Sequence, residues 1–257
     1  MSSPTRTVVI TGAAGRLGSY LRSSLGQVAT RARLVDIVAP SPALAFEPVD
    51  FFQGSVTDPE LLDIACEGAD AVVHLGGYAG EAPWPELSRV NVGGTYEVLE
   101  AVRRQGVSRL VFASSNHAVG FHVRGAEPLA DDLAARPDSL YGASKAAGEA
   151  LCRFYADKFS IDVICLRIGS CFDVPSNLRM LATWLSPADF VRLTAAALMT
   201  PLSGFRLVWG VSANTRRWWS TEGGKAIGFH PEDDAERFAG LYPGTSPQPE
   251  YVGGVSI

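Results

Sequence analysis

The feature that most constrains this fold is a glycine triplet wedged between an apolar strand and a helix. Residues 7–11 (TVVIT) form a short β-branched run that predicts a buried strand. Gly12-Ala13-Ala14-Gly15-Arg16-Leu17-Gly18 follows at once and opens a helix expected over 16–25. A chain that turns this sharply, and packs the helix tightly on the strand, needs positions without a Cβ. The same turn aims the unpaired N–H groups of the first helical turn at whatever lies beyond the strand, a natural seat for a pyrophosphate. The spacing is G-x-x-G-x-x-G. Its place between strand and helix predicts a dinucleotide cradle formed by Gly12, Gly15, Arg16, Leu17 and Gly18.

The rest of the first two thirds repeats the alternation. Strands are expected over 33–37, 49–54, 71–75, 109–113 and 163–168, and helices over 59–66, 87–105 and 141–158. Near-continuous apolar strands separated by helices imply a doubly wound α/β fold: a parallel sheet with helices on both faces. After Gly169 the pattern weakens, apart from a helix near 187–199, and four of the five tryptophans lie in this region. The expectation is a nucleotide-binding domain over 1–171. A small C-terminal substrate-binding lobe over 172–257 is expected to cap the crevice at the strand ends, with a loosely held tail from residue 242.

Composition narrows the functional classes. The 257 residues carry a net charge of −5, and the basic residues form no run that would grip a phosphate backbone, so no nucleic-acid partner is expected. No apolar stretch approaches the ~20 residues of a membrane helix, and residues 1–6 lack the apolar core of a signal segment. The four cysteines form no C-x-x-C pair and the four histidines show no metal-ligand spacing. A reduced, cytoplasmic setting without a bound metal is expected.

Asp36 ends the second strand, 18 residues past Gly18. A carboxylate there accepts from ribose hydroxyls and repels a 2′-phosphate, which favours NAD. The lesser alternative is a capping or turn aspartate, and Arg16 inside the loop is a residue type that helps bind a 2′-phosphate; with Asp36 followed by the neutral Ile37, NAD remains the expectation. Leu75-Gly76-Gly77 would let a cofactor pass close to the backbone, although a plain turn uses the same residues.

Tyr141-Gly142-Ala143-Ser144-Lys145 carries the second signal. Tyr141 and Lys145 are four apart, so they share a helix face. A free tyrosine has a pKa near 10 and is a poor base; a neighbouring ammonium is expected to lower it and make the phenolate a proton acceptor. Ser114-Ser115-Asn116-His117 follows the strand ending near 113 and faces the crevice, where a serine hydroxyl can orient a substrate oxygen. Turn chemistry alone would also explain two serines there.

Taken together, GAAGRLG, the Ser115 loop and YGASK resemble the extended short-chain dehydrogenase/reductase superfamily, whose fold is of the Rossmann type, over residues 7 to about 170. Longer strings, LVFASSNHAVGF, ARPDSLYGASK, LRIGSC, NLRMLATWLS and VWGVSANTRRWW, are similar to uronate dehydrogenases through most of the chain. That resemblance implies NAD-dependent oxidation of the C1 hemiacetal of galacturonate or glucuronate to an aldarolactone. It implies Tyr141 as the general base, Lys145 as the group that lowers its pKa and holds the nicotinamide ribose, and Ser115 as the group orienting the C1 hydroxyl. Asn116 and His117 would contact the sugar, and Ser170 and Cys171 would lie where the chain passes cofactor and substrate. Arg179 would pair with the uronate carboxylate, as a planar guanidinium can; on composition alone it reads as a surface arginine. Two positions depart from the family. Ala79 stands where a serine usually faces the substrate. Ser55, before Val56, stands where an acidic residue usually lies near the adenine.

Two other functions share parts of this pattern. A nucleotide-sugar epimerase or dehydratase would use the same glycine loop, Ser115, Tyr141 and Lys145, but usually carries a larger C-terminal region. A non-catalytic sensor of NAD(H) would usually lack the Tyr–Lys pair. Helices 87–105 and 141–158 are rich in small and apolar residues, and a homo-oligomer paired through them is expected.

Overall fold

The computed structural model describes residues 6–41, 49–243 and 251–254. Six parallel strands run β1 (Thr7–Thr11), β2 (Arg31–Asp36), β3 (Val49–Gln53), β4 (Ala71–His74), β5 (Arg109–Ser115) and β6 (Asp162–Ile168). The helices between them are α1 (Arg16–Arg22), α2 (Pro59–Cys66), a short α3 (Trp84–Glu86), α4 (Gly94–Arg104) and α5 (Leu140–Phe159). Later come β7 (Ser170–Cys171), α6 (Met180–Thr183), β8 (Trp184–Leu185), α7 (Pro187–Met199), β9 (Phe205–Gly210) and α8 (Glu222–Ala226). The main sheet has the order β3-β2-β1-β4-β5-β6-β9, and β7 and β8 pair separately. Chain direction across the sheet reverses between β1 and β4, and that switch point is where this fold class opens a ligand crevice.

Alternation along the strands explains the two cores. Val8 and Ile10 of β1 face one side, with Leu21 of α1 and Phe190 and Leu193 of α7. Val9 faces the other, with Leu62 of α2, Val98 and Leu99 of α4, and Cys152 of α5. Local chemistry sets the helix starts. Asp58 accepts from Leu61 N at 3.1 Å ahead of Pro59, and Ser186 accepts from Asp189 N at 2.9 Å ahead of Pro187.

Three expectations need correction. The chain does not divide cleanly near 171: β9 is the seventh strand of the main sheet, paired with β6 from Val163↔Phe205 to Ile168↔Gly210, and α7 covers the same face as α1. Much of the rest of the C-terminal third packs around the tryptophans, with Trp209 and Trp219 stacked at 4.6 Å, while Ile227 and Phe229 join the core beneath α1 and α7. The helix expected over 87–105 begins as a π-helix, Leu87–Gly93, before becoming α-helical. Of the tail, residues 251–254 are held rather than loose: Val252 N donates to His122 O and Gly253 N to Gly120 O, both at 3.0 Å. Residues 244–250 and 255–257 lie outside the described residues.

Candidate active site

A cleft of about 1150 Å³ opens at the carboxyl ends of β1, β4, β5 and β6. Among the positions singled out from sequence, Gly12, Gly15, Arg16, Leu17, Asp36, Ser55, Val56, Leu75, Gly76 and Gly77 line one part of it. Ala79, Ser115, Asn116, His117, Tyr141, Lys145, Ser170, Cys171 and Arg179 line the remainder. Gly18 lies beneath, inside α1, where a Cβ would come within 2.5 Å of Gly12 O. Gly12 sits at φ +68°, and a Cβ there would lie 2.8 Å from Gly76 N, so the β1 and β4 turns touch through backbone. The N-terminus of α1 has no side-chain cap and no acidic residue in its first turn. A narrow cradle with free helix amides suits a pyrophosphate.

Asp36 Oδ2 accepts from Ala14 N at 2.8 Å, which fixes the carboxylate at the cleft edge and steadies the glycine loop. The Arg16 guanidinium lies over the Phe172 ring, 4.2 Å from its centroid. Ser55 is taken up in a local turn, accepting from Thr57 N at 3.1 Å.

At the other end of the cleft, Ser139 caps α5 by accepting from Gly142 N, and so sets the helix that carries Tyr141 and Lys145. The Lys145 ammonium is buried, donates to Ala113 O at 2.8 Å and lies 5.8 Å from the Tyr141 ring centroid. Burial pulls Lys145 down to about 8. Burial also pushes the Tyr141 phenol above its ordinary value, while a hydrogen bond with Ser115 acts in the opposite sense. The lowering expected from Lys145 alone is therefore not what governs this phenol: with its ammonium on a carbonyl, the lysine does not offset burial.

The His117 ring meets Tyr141 edge-on at 6.0 Å, and its Nδ1 donates to Asp138 Oδ1 at 3.0 Å. Burial acts to raise Asp138, but its hydrogen bonds with His117 and Ser139 bring it net below the usual carboxylate value. Ser170 pairs with Thr183 at 3.0 Å. Burial pushes the Cys171 thiol well above its ordinary value, so it meets the cleft as a neutral group. Arg179 is not a surface arginine. Its Nη2 donates to Val252 O at 2.6 Å, and its buried Nε has no hydrogen-bond partner among the described residues. It forms no ion pair within 4.0 Å there either; burial pulls it below its ordinary value, and the charge of nearby Asp138 acts in the opposite sense.

Several contributors escaped the sequence reading. Asn91, in the π-helix, clamps the backbone of Tyr78 next to Ala79: its Oδ1 accepts from Tyr78 N at 2.8 Å and its Nδ2 donates to Tyr78 O at 3.2 Å. The same Nδ2 reaches Ser144 Oγ at 2.9 Å, which ties this loop to α5. A π turn inside a helix is a known marker of functional sites, but helical periodicity does not reveal it. Buried His74 bridges Thr11 and Thr95, at 2.7 and 3.2 Å, and Thr11 Oγ1 also accepts from Gly76 N. Burial, with the charge of Lys145, pulls His74 down to about 3, so it stays neutral. Asp138, which holds His117, lies inside the ARPDSLYGASK string but has no role implied for it there, and Val252, which holds Arg179, lies in none of the strings singled out.

Comparison with known proteins agrees with this geometry. The model of the NAD dependent epimerase/dehydratase family matches residues 8–177. The chain belongs to that family. It is 41% identical to a uronate dehydrogenase of Agrobacterium fabrum over 245 residues, 95% of this chain and 91% of that one. The crystal structure of a glucuronic acid dehydrogenase from Chromohalobacter salexigens superposes with a TM-score of 0.90 at 37% identity, covering 97% of this chain and 96% of that one. A mutant uronate dehydrogenase from Agrobacterium tumefaciens, complexed with NAD, gives 0.89 at 39% identity, with the same two coverages. The seven-stranded parallel sheet and the helices on both its faces are those of this epimerase/dehydratase family. No helix among the described residues is long and apolar enough to cross a membrane.

Proposed function

We propose that this protein is an NAD-dependent dehydrogenase that oxidises C1 of a hexuronic acid, galacturonate or glucuronate, to an aldarolactone. The observation that carries the reading is Arg179. A guanidinium that lines the cleft with Tyr141, Ser115 and Lys145, that forms no ion pair within 4.0 Å among the described residues and that feels the charge of Asp138 only at longer range, suits a substrate carboxylate.

NAD fits the glycine cradle and, when bound, supplies the acceptor for the hydride leaving C1. Gly12, Gly15, Leu17 and Gly18 shape the seat of the pyrophosphate, and Val56, Leu75, Gly76 and Gly77 form the wall beside it. Asp36 offers its carboxylate to the ribose hydroxyls. Ser115 orients the C1 hydroxyl, and Tyr141 takes that proton at its phenolic oxygen as C1 becomes a carbonyl. Lys145 holds the nicotinamide ribose. Asn116 and His117 contact the sugar hydroxyls, and Ala79, Ser170 and Cys171 complete the wall around the reacting carbon. Because burial raises Tyr141, loss of the phenolic proton depends on the charge present when cofactor is bound.

The protein is further proposed to act in the cytoplasm, supported by four buried, free cysteines. It is proposed to pair with copies of itself through α4 and α5, where Tyr96, Phe154 and Phe159 are exposed. A monomeric mass by light scattering at micromolar concentration would reject that pairing.

The test of the activity is absorbance at the NADH band with NAD and galacturonate, glucuronate, galactose, glucose or UDP-glucose. Steady NADH formation with the uronates, and little with the neutral sugars, is expected. Silence with both uronates would withdraw the substrate and leave a nucleotide-sugar enzyme as the better reading.

A further inference from the structure

We infer that residues 251–254 form a positioning clasp that orients the substrate-reading side chains on the far side of the cleft from the glycine loop. The inference rests on the proposed uronate reading for the identity of the substrate.

The clasp is a short stretch of backbone from the chain's last residues, laid against the loop after β5. Tyr251 bridges Val123 in an antiparallel sense, and its ring meets Phe121 edge-on at 5.7 Å. Val252 N donates to His122 O and Gly253 N to Gly120 O, which fixes the stretch at two consecutive residues. So pinned, the Val252 carbonyl receives two donors: Arg179 Nη2 at 2.6 Å and Asn116 Nδ2 at 3.3 Å. One backbone oxygen thus sets the direction of both the residue proposed to read the carboxylate and a residue proposed to read a hydroxyl.

The third reader is governed by the next residue. Gly253 packs on Asp138 so closely that a Cβ would stand 1.5 Å from Asp138 Oδ2. Asp138 is the partner of His117 Nδ1. Holding that nitrogen as the donor leaves Nε2 as an acceptor, which suits a sugar hydroxyl. Asn116, His117 and Arg179 therefore share one support, remote in sequence from all three. The glycine loop and Asp36 have no hydrogen bond with it among those described.

The role predicted is positional. A shift of about an ångström in groups that hold a substrate can cost up to about a hundredfold in rate while leaving the cofactor seat alone. The test uses the full-length protein with Gly253→Ala, which forces Asp138 or the clasp to move, and the milder Tyr251→Ala, which removes only the ring contact with Phe121. Initial rates are measured against galacturonate at saturating NAD. NADH affinity is followed by fluorescence, and galacturonate binding to the protein–NADH complex by calorimetry.

Gly253→Ala is expected to raise the KM for galacturonate about tenfold or more, and Tyr251→Ala about threefold. NADH affinity should stay within about twofold in both, and preference for galacturonate over galactose should fall. Unchanged KM in both variants overturns the inference, as does NADH affinity falling in step with KM, which marks a general structural role. If Gly253→Ala does not fold, Tyr251→Ala decides by the same criteria. A wild-type protein that neither binds nor oxidises galacturonate or glucuronate rejects the uronate reading and the clasp's role with it; where only glucuronate is turned over, the same measurements are made with it. A wild type that binds it, with variants that bind it equally well, rejects the clasp alone.

Discussion

The two walls of the cleft are built by different means. The wall beside β1, β2 and β4 is mostly backbone: the glycine loop, the α1 amides and the Gly76 turn meet at distances that exclude side chains. The wall beyond β5 is made of side chains gathered from three distant stretches, around residues 115–117, 141–145 and 170–179, and braced from behind by the backbone of 251–254. A dinucleotide has a fixed shape, and a fixed backbone surface can match it. A sugar acid is small and is told from its relatives by single hydroxyls and one charge. Reading those takes side chains whose directions are set by further contacts.

That division predicts separable failures. The largest is at the proton acceptor. Tyr141→Phe should lower kcat by about 10³-fold while NADH affinity changes less than twofold; steady-state rates and a fluorescence titration check this. Equal loss of both would mean that the two walls act as one. Arg179→Met comes next, with kcat/KM for galacturonate falling about a hundredfold and turnover of galactose hardly altered, because the lost partner is a charge that only the uronate carries. A parallel fall for both sugars would make Arg179 a structural residue. The backbone wall is probed by Gly18→Ala, whose new Cβ lies 2.5 Å from Gly12 O. The KM for NAD should rise about tenfold, with the KM for galacturonate at saturating NAD unchanged.

A further prediction concerns the stability of the whole chain and falls on His74, which ties β1 to α4 behind the backbone wall. Its ordinary value of 6.5 falls to about 3 in the folded chain. The unfolded chain therefore takes up this proton below 6.5, while the folded one resists until about 3. The stability this group contributes is complete above 6.5 and is lost as pH falls toward 3, by up to about 1.4 kcal/mol per pH unit. Urea unfolding at several pH values should show that slope, and His74→Gln should flatten it. An unchanged slope would mean that other groups set the acid limb.

What could be read from the sequence follows the same division. The glycine loop, Asp36 and the Tyr141–Lys145 pair are local patterns: a turn, a strand end and an i,i+4 helix face. Each can be recognised without knowing what lies opposite. Asp138 supports His117 across 21 residues, and Val252 acts through a carbonyl that every residue type possesses. No pattern of residue types marks such positions. Asn91 was hidden by a π turn, since a 3.6-residue period describes the α-helix alone. The strand at Phe205–Gly210 does carry a signal, an apolar run after Ser203-Gly204, but it lies beyond the change of character after Gly169, in a stretch whose weak periodicity suggests a separate lobe. The direction of Tyr141's shift is not legible in the sequence, because burial is a property of the assembled cleft.

The position of β9 has a consequence for how the protein is made. Its partner β6 is complete by Ile168, but β9 ends only at Gly210. A chain leaving the ribosome therefore carries, for some forty further residues, a strand whose outer row of N–H and C=O groups has nothing to pair with. A fragment ending at residue 171, where sequence character alone would place a cut, keeps that raw edge permanently. It should assemble edge to edge into insoluble material rather than persist as a small nucleotide-binding protein.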